Sequence, residues 1–241
     1  MTTLRSPREY HEADFEALMV VAELDGDIIL PRMTPALDGL LAYAVAQEHQ
    51  LPPIEVQGDE APTIEVPLAR SPCGRYHQAS FGIGRVNKST LQYYHRKWPI
   101  EVSQALSSEK TKGIDVAAGR NKSYRLPVER AHLVSDRLWW FAVGHVAEVR
   151  NLLTWVTRIG KKRSMGAGKV MAWRVEPVEA WGVGFPVVSP EGEALRPLPS
   201  SDPRLVPPMT EGFAVLTYPY HQAWREQWLA LPFDQLRGAQ A

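Results

Sequence analysis

The sequence predicts an α+β protein with a ferredoxin-like β-α-β-β-α-β core, on three observations. Segments of strand-like composition alternate with two stretches of helical apolar spacing; a basic, glycine-rich stretch separates the second helix from the last strand; and residues 85–131 are too polar to share that core. The chain reads as one domain over residues 1–241. The core covers about 15–177, a basic arm is inserted at about 85–131, and a proline-rich extension covers 178–241.

Phe15 to Leu24 is apolar and ends at the turn signal Asp25-Gly26-Asp27, which gives a first, central strand. Thr34 can cap a helix opened by Pro35, in which Leu37, Leu40, Leu41, Ala44 and Val45 share one face and which ends near His49. Asp38 is a charge favoured by that helix's N-terminal turns. Residues 52–72 hold five prolines and read as a loop with a short extended piece around Ile64 to Val66. Arg75 to Gly84 alternates as a second strand, with Gly82 and Gly84 marking a bulge or a close backbone approach. Within the arm only Ser123 to Leu126 reads as a strand. His132 to Val143 has the composition of a buried strand, and Val146, Val149, Leu152, Leu153, Val156 and Ile159 recur at helical spacing until Gly160. Lys169 to Pro177 alternates as the last core strand. Residues 186–208 contain seven prolines and read as an extended segment lying on the domain rather than a second core. Phe213 to Tyr218 is expected as an edge strand and His221 to Leu229 as a short helix.

The 241 residues are 44% apolar and 22% charged, ordinary for a globular chain. No apolar run reaches ~18 residues and the first residues lack a signal-peptide core, so a cytoplasmic protein without membrane contact is expected. Cys73 is the only cysteine, and the scattered histidines show no ligand spacing, so neither a disulfide nor a metal or other cofactor is expected. The 27 basic and 27 acidic residues cancel, but unevenly: residues 85–174 hold 18 Lys+Arg against 6 Asp+Glu, leaving 9 against 21 elsewhere. A neutral chain with one strongly basic third suits a polyanion bound at one place.

The sharpest feature is Arg158-Ile-Gly-Lys-Lys-Arg-Ser-Met-Gly-Ala-Gly-Lys169, with five cations, three glycines and no carboxylate. Glycine permits positive φ and close approach of N–H groups, and the cations meet phosphate oxygens. A nucleotide P-loop is excluded, because five residues separate Gly160 from Gly166, Val170 follows Lys169, and the order is helix then strand. A dinucleotide fingerprint fails on glycine offset and on the missing β-α unit. A polynucleotide backbone fits better, with Lys161, Lys162, Arg163, Ser164, Gly166, Gly168 and Lys169 as its contacts.

In the arm, Tyr93, Tyr94, His95, Arg96, Lys97 and Trp98 interleave flat rings with cations, as single-stranded RNA requires. Lys88, Arg120 and Lys122 add charge for the RNA or a neighbouring subunit. His77, beside Tyr76 and Ser80, and His95, beside Lys97, are the residues that metal-independent RNA cleavage would use as acid and base. His132 and His145 read as structural. No carboxylate pair, Ser-His-Asp order or metal triad assembles from the spacing.

The element order, Ile159 to Val170, Ala36 to Ala44 on the first helix and Arg75-Tyr-His-Gln-Ala-Ser80 together resemble the RAMP proteins of CRISPR effector complexes, in particular the type IV subunit of the "Cas five" kind. The resemblance covers about residues 15–177. It implies a non-catalytic subunit that grips the 5′ handle of the guide RNA through an inserted arm and caps the backbone filament. By the same resemblance Tyr76 and His77 join the RNA contacts, the partners are the guide RNA (crRNA), the backbone and large subunits, and target DNA passes close by. A guide-RNA-processing endoribonuclease and a backbone-filament subunit are the alternatives on the same fold.

Overall fold

The computed structural model describes residues 10, 12–29, 33–50, 64–96, 124–161, 163, 166–216 and 226–232. Strand β1, Glu16–Leu24, is rich in apolar and β-branched residues and lies at the centre of an antiparallel sheet. Helix α1 is Leu37–Glu48, and the arm is formed by β2, Val86–Arg96, and β3, Tyr124–Leu133. Then follow β4, Arg137–Gly144, helix α2, Val146–Leu153, and β5, Val170–Pro177. The sheet order is β4-β1-β5, with Val20 facing Trp140 on one side and Val175 on the other. Period-two alternation sends Leu18, Val20, Ala22, Leu138 and Trp140 to one face, where they pack with Leu41 and Val45 of α1 and Val149, Leu152 and Leu153 of α2.

The α+β class expected from the sequence is observed, with several differences in the elements. The segment expected as a strand over 75–84 runs antiparallel to β4 only in bridges, at Ala79 with Ala142 and Ile83 with Trp139. Between them Ser80 N–H still donates to Phe141 O of β4, but the next two N–H groups turn away, Phe81 to Leu195 O and Gly82 to Pro35 O. The close approach expected at the two glycines is present. A Cβ at Gly82 would stand 3.0 Å from the Trp140 ring, and one at Gly84 2.6 Å from Leu138 Cδ2.

Thr34 does not occupy the cap of α1: the cap is Ala36, which makes no side-chain bond, and the Leu37 N–H is instead accepted by Ser80 O at 3.3 Å. Asp38 does lie in the first turn of α1, but it is buried and faces Arg196 of the extension. The single strand expected over 132–143 is two strands. A turn at Val134–Asp136, with φ of 59° at Ser135 and 50° at Asp136, sends β3 into the arm and β4 into the sheet. The helix expected to reach Ile159 stops at Leu153, because Thr157 and Ile159 pair with the chain entering β5: Val170 N–H donates to Thr157 O and Ile159 N–H to Gly168 O.

The arm holds more strand than Ser123 to Leu126, since β2 and β3 form a two-stranded antiparallel ribbon from Val86 opposite Leu133 to Arg96 opposite Tyr124. Both faces of most of that ribbon meet solvent, so it carries no buried alternation for the sequence to display. The extension, expected to have no core of its own, has one. Val187, Val188, Leu198 and Leu205 pack with Tyr76 and with the hairpin of β6, Glu211–Ala214, and β7, Gln227–Ala230. The helix expected over 221–229 is therefore strand at its end, where exposed Trp228 and buried Leu229 alternate; residues 217–225 lie outside the described residues. Among the described residues no helix is long and apolar enough to cross a membrane.

Candidate nucleic-acid interface

The turn that leaves β1 organises the basic elements. Asp25 N–H donates to Lys169 O at 2.9 Å, and Gly168 N–H donates to Asp27 O at 2.9 Å. Lys161 N–H donates to Ile29 O at 2.7 Å. Ile28 exchanges both backbone bonds with Ala131 of β3, at 2.9 and 2.8 Å. Two side-chain pairs repeat the pattern, Lys169 Nζ to Asp25 Oδ2 at 2.9 Å and Arg130 Nη1 to Asp27 Oδ2 at 2.8 Å. The glycine loop and the root of the arm, far apart in sequence, thus hang from one linker, residues 25–29.

Two of the loop's three glycines are required by close backbone packing. Gly160 at φ 85° and Gly168 at φ 66° both adopt the left-handed conformation, and a Cβ there would meet Ile29 O and Ile159 O respectively. A Cβ at Gly166, at φ 89°, would meet nothing within 4 Å among the described residues. The N–H groups of Ile159, Lys161, Gly166 and Gly168 are all bonded within the protein. The cations that the described part of the loop exposes are Lys161 and Arg163, while Lys169 is shared with Asp25. Lys162 and Ser164 lie outside the described residues.

Along the ribbon, alternation places Leu91, Tyr93 and His95 on one face. Leu91 and Tyr93 are 59% and 45% exposed, and His95 is exposed as well. Arg125, directly opposite His95, lays its guanidinium 3.7 Å from the Tyr93 ring centroid. That is a stacked cation and aromatic, a surface for both base and phosphate. Tyr94 is half-buried on the other face, opposite exposed Leu126, and Lys88 is exposed opposite His132. Arg96 ends β2, and Lys97, Trp98, Arg120 and Lys122 lie outside the described residues.

Tyr76 and His77 stand apart from this ribbon, at 4% and 6% exposure, between core and extension. The Tyr76 hydroxyl accepts from Arg204 Nη2 at 2.9 Å, and its ring lies under the Arg196 guanidinium at 4.8 Å. Burial depresses the His77 imidazole below its ordinary value; Asp38 opposes the shift, and Arg70 and Arg196 add to it. His145 caps α2, its Nδ1 accepting from Glu148 N–H at 3.3 Å.

Sequence reasoning missed Arg125, Arg130 and the anchoring role of Asp25 and Asp27. Arg125 and Arg130 carried no alternation signal, because the run Arg125-Leu-Pro-Val-Glu-Arg130 does not alternate polar with apolar residues.

The fold and site together define a class: an antiparallel α+β protein that carries a basic ribbon and a basic glycine loop on one linker. Residues 86–182, from the start of β2 past the end of β5, match the family model described as CRISPR type IV associated protein Csf3. The matched residues are fewer than half of the chain and contain the glycine loop on which the resemblance chiefly rested. No curated protein matches the chain.

Proposed function

We propose that the chain is a non-catalytic RNA-binding subunit of a type IV CRISPR effector complex, built on a ferredoxin-like core and acting in the cytoplasm. In this reading it holds the 5′ handle of the guide RNA, caps the backbone filament, and lies beside the large subunit and the DNA next to the target. The ferredoxin-like core is supported by the strand sequence β5, β1, β4 and then residues 79–83, with both helices in one apolar cluster. The observation that carries the RNA-binding role is the linker 25–29, which holds the basic loop and the root of the aromatic, basic ribbon through main-chain bonds.

The test is a filter-binding titration of the purified chain, alone and with its backbone subunit, on repeat-derived and scrambled RNA. The reading expects preference for the repeat RNA and a steep loss of affinity between about 50 and 200 mM salt. Equal, salt-insensitive binding of both RNAs would overturn it. The non-catalytic part is supported by the burial of His77, which keeps its imidazole from a substrate 2′-hydroxyl. Incubation of repeat RNA with the chain and a chelator should leave it uncut; a discrete cut lost in His77→Ala or His95→Ala would favour the endoribonuclease.

A further inference from the structure

Between α1 and the glycine loop lies a cleft of about 290 Å³ lined by Tyr43, Thr157, Arg158 and Arg163. It draws on three parts of the chain: Tyr43 comes from α1, Thr157 and Arg158 follow α2, and Arg163 comes from the loop. Two guanidinium groups and two hydroxyls meet there, and among the described residues no carboxylate lines it.

Arg158 is the telling residue. Its Nη1 is shielded from solvent and has no hydrogen-bond partner among the described residues. A buried guanidinium N–H is costly to leave unbonded and is ordinarily satisfied by protein, water or ligand. Its backbone is pinned by the bridge to Lys169 and the neighbouring bond from Ile159 N–H to Gly168 O, so the side chain starts from a fixed base. Arg163 leans over the Tyr43 ring, with its guanidinium carbon 5.2 Å from the centroid.

We infer that this cleft is a site for one phosphate group, with half-buried Arg158 as its inner fork, Arg163 as the outer cation and Tyr43 as the flat wall for an attached nucleoside. The planar fork of arginine matches phosphate oxygens in pairs, which a lysine cannot reproduce. The volume suits a single nucleotide rather than a longer stretch of chain. The inference rests on the RNA-binding proposal only for the source of the phosphate, which is either a guide-RNA phosphate or a free nucleotide.

The experiment compares the full-length chain with Arg158→Met, Arg158→Lys, Arg163→Gln and, as an arm control, Arg125→Ala. Each is titrated with inorganic phosphate, adenosine 5′-monophosphate, and repeat-derived RNA bearing a 5′ phosphate or a 5′ hydroxyl. Circular dichroism checks the fold, and exposed Arg163 provides a variant that leaves the interior unchanged. Phosphate and the mononucleotide should raise the melting temperature of the wild type, and their affinities should fall about tenfold in Arg158→Met and Arg163→Gln, with incomplete rescue by Arg158→Lys. Arg125→Ala should weaken RNA without touching phosphate. A 5′-phosphate advantage that vanishes in Arg158→Met assigns the cleft to the RNA terminus; equal weakening of both RNAs assigns it to a backbone phosphate. Mononucleotide binding without any RNA binding supports the cleft while removing the RNA-binding proposal. Unchanged affinity of the Arg158 and Arg163 variants for every probe overturns the cleft and leaves that proposal to the arm.

Discussion

Arg196 and Asp38 form an ion pair in the interior, Nη2 to Oδ2 at 3.6 Å, with side chains 0% and 1% exposed. The same guanidinium donates to the carbonyls of His77, of Ala79 at 3.0 Å and of Leu216 at 2.7 Å. One residue of the extension thereby locks α1, the segment beside β4 and the chain after β6. Arg196→Met should cost about 3–5 kcal/mol, because it strands a buried carboxylate. Adding Asp38→Asn should recover part of that loss. Urea unfolding of the single and double variants measures both; additive losses would show that the pair is not coupled.

The loop glycines should separate by position. Gly168→Ala meets Ile159 O at a left-handed φ and should cost more than about 2 kcal/mol. Gly166→Ala, with the same hand but no described atom within 4 Å, should cost about 1 kcal/mol. Thermal melts order them, and similar losses would contradict the assignment of Gly168 to backbone packing.

His77 gives a pH prediction. Its imidazole is depressed below the ordinary 6.5, chiefly by burial. Near pH 8 it is neutral folded and unfolded alike, and as pH falls below 6.5 the unfolded chain takes up a proton that the folded chain refuses. Stability contributed by the neutral imidazole is therefore lost on acidification, by up to about 1.4 kcal/mol per pH unit until the folded value is reached. His77→Gln should flatten the fall in melting temperature between pH 7.5 and 5.5, on the order of that slope. An unchanged fall would place the titrating group elsewhere.

On the arm, Tyr93→Ala should weaken RNA by about 1–3 kcal/mol through lost stacking. Arg125→Gln should lower the slope of log affinity against log salt by about 1. Fluorescence anisotropy across a salt series reads both, and a Tyr93 variant with full affinity would exclude that ring as a base platform.

The parts of the fold buried on one face were legible. The run at Leu18 to Ala22 and the alternation around Val175 announced β1 and β5 because burial imposed it. The ribbon was not legible, since with solvent on both faces nothing obliges Leu91 to Tyr94 to alternate. Nor was the core of the extension, where turns rather than long elements bring Val187, Leu198 and Leu205 together. At the site, the loop's cations stood out through local density. The partners of Lys169 and Arg130 did not, because the Asp25-Gly26-Asp27 turn was explained without them.

The central claim is that the arm and the glycine loop, joined through residues 25–29, bind one guide RNA. The most direct measurement is ultraviolet cross-linking of photoreactive repeat RNA to the assembled particle, with the attached peptides identified by mass spectrometry. The account predicts cross-links on both the peptide containing Tyr93 and the peptides from Ile159 to Lys169, lost together on competition with unlabelled repeat RNA. Cross-links confined to the extension, or to neither basic element, would contradict it.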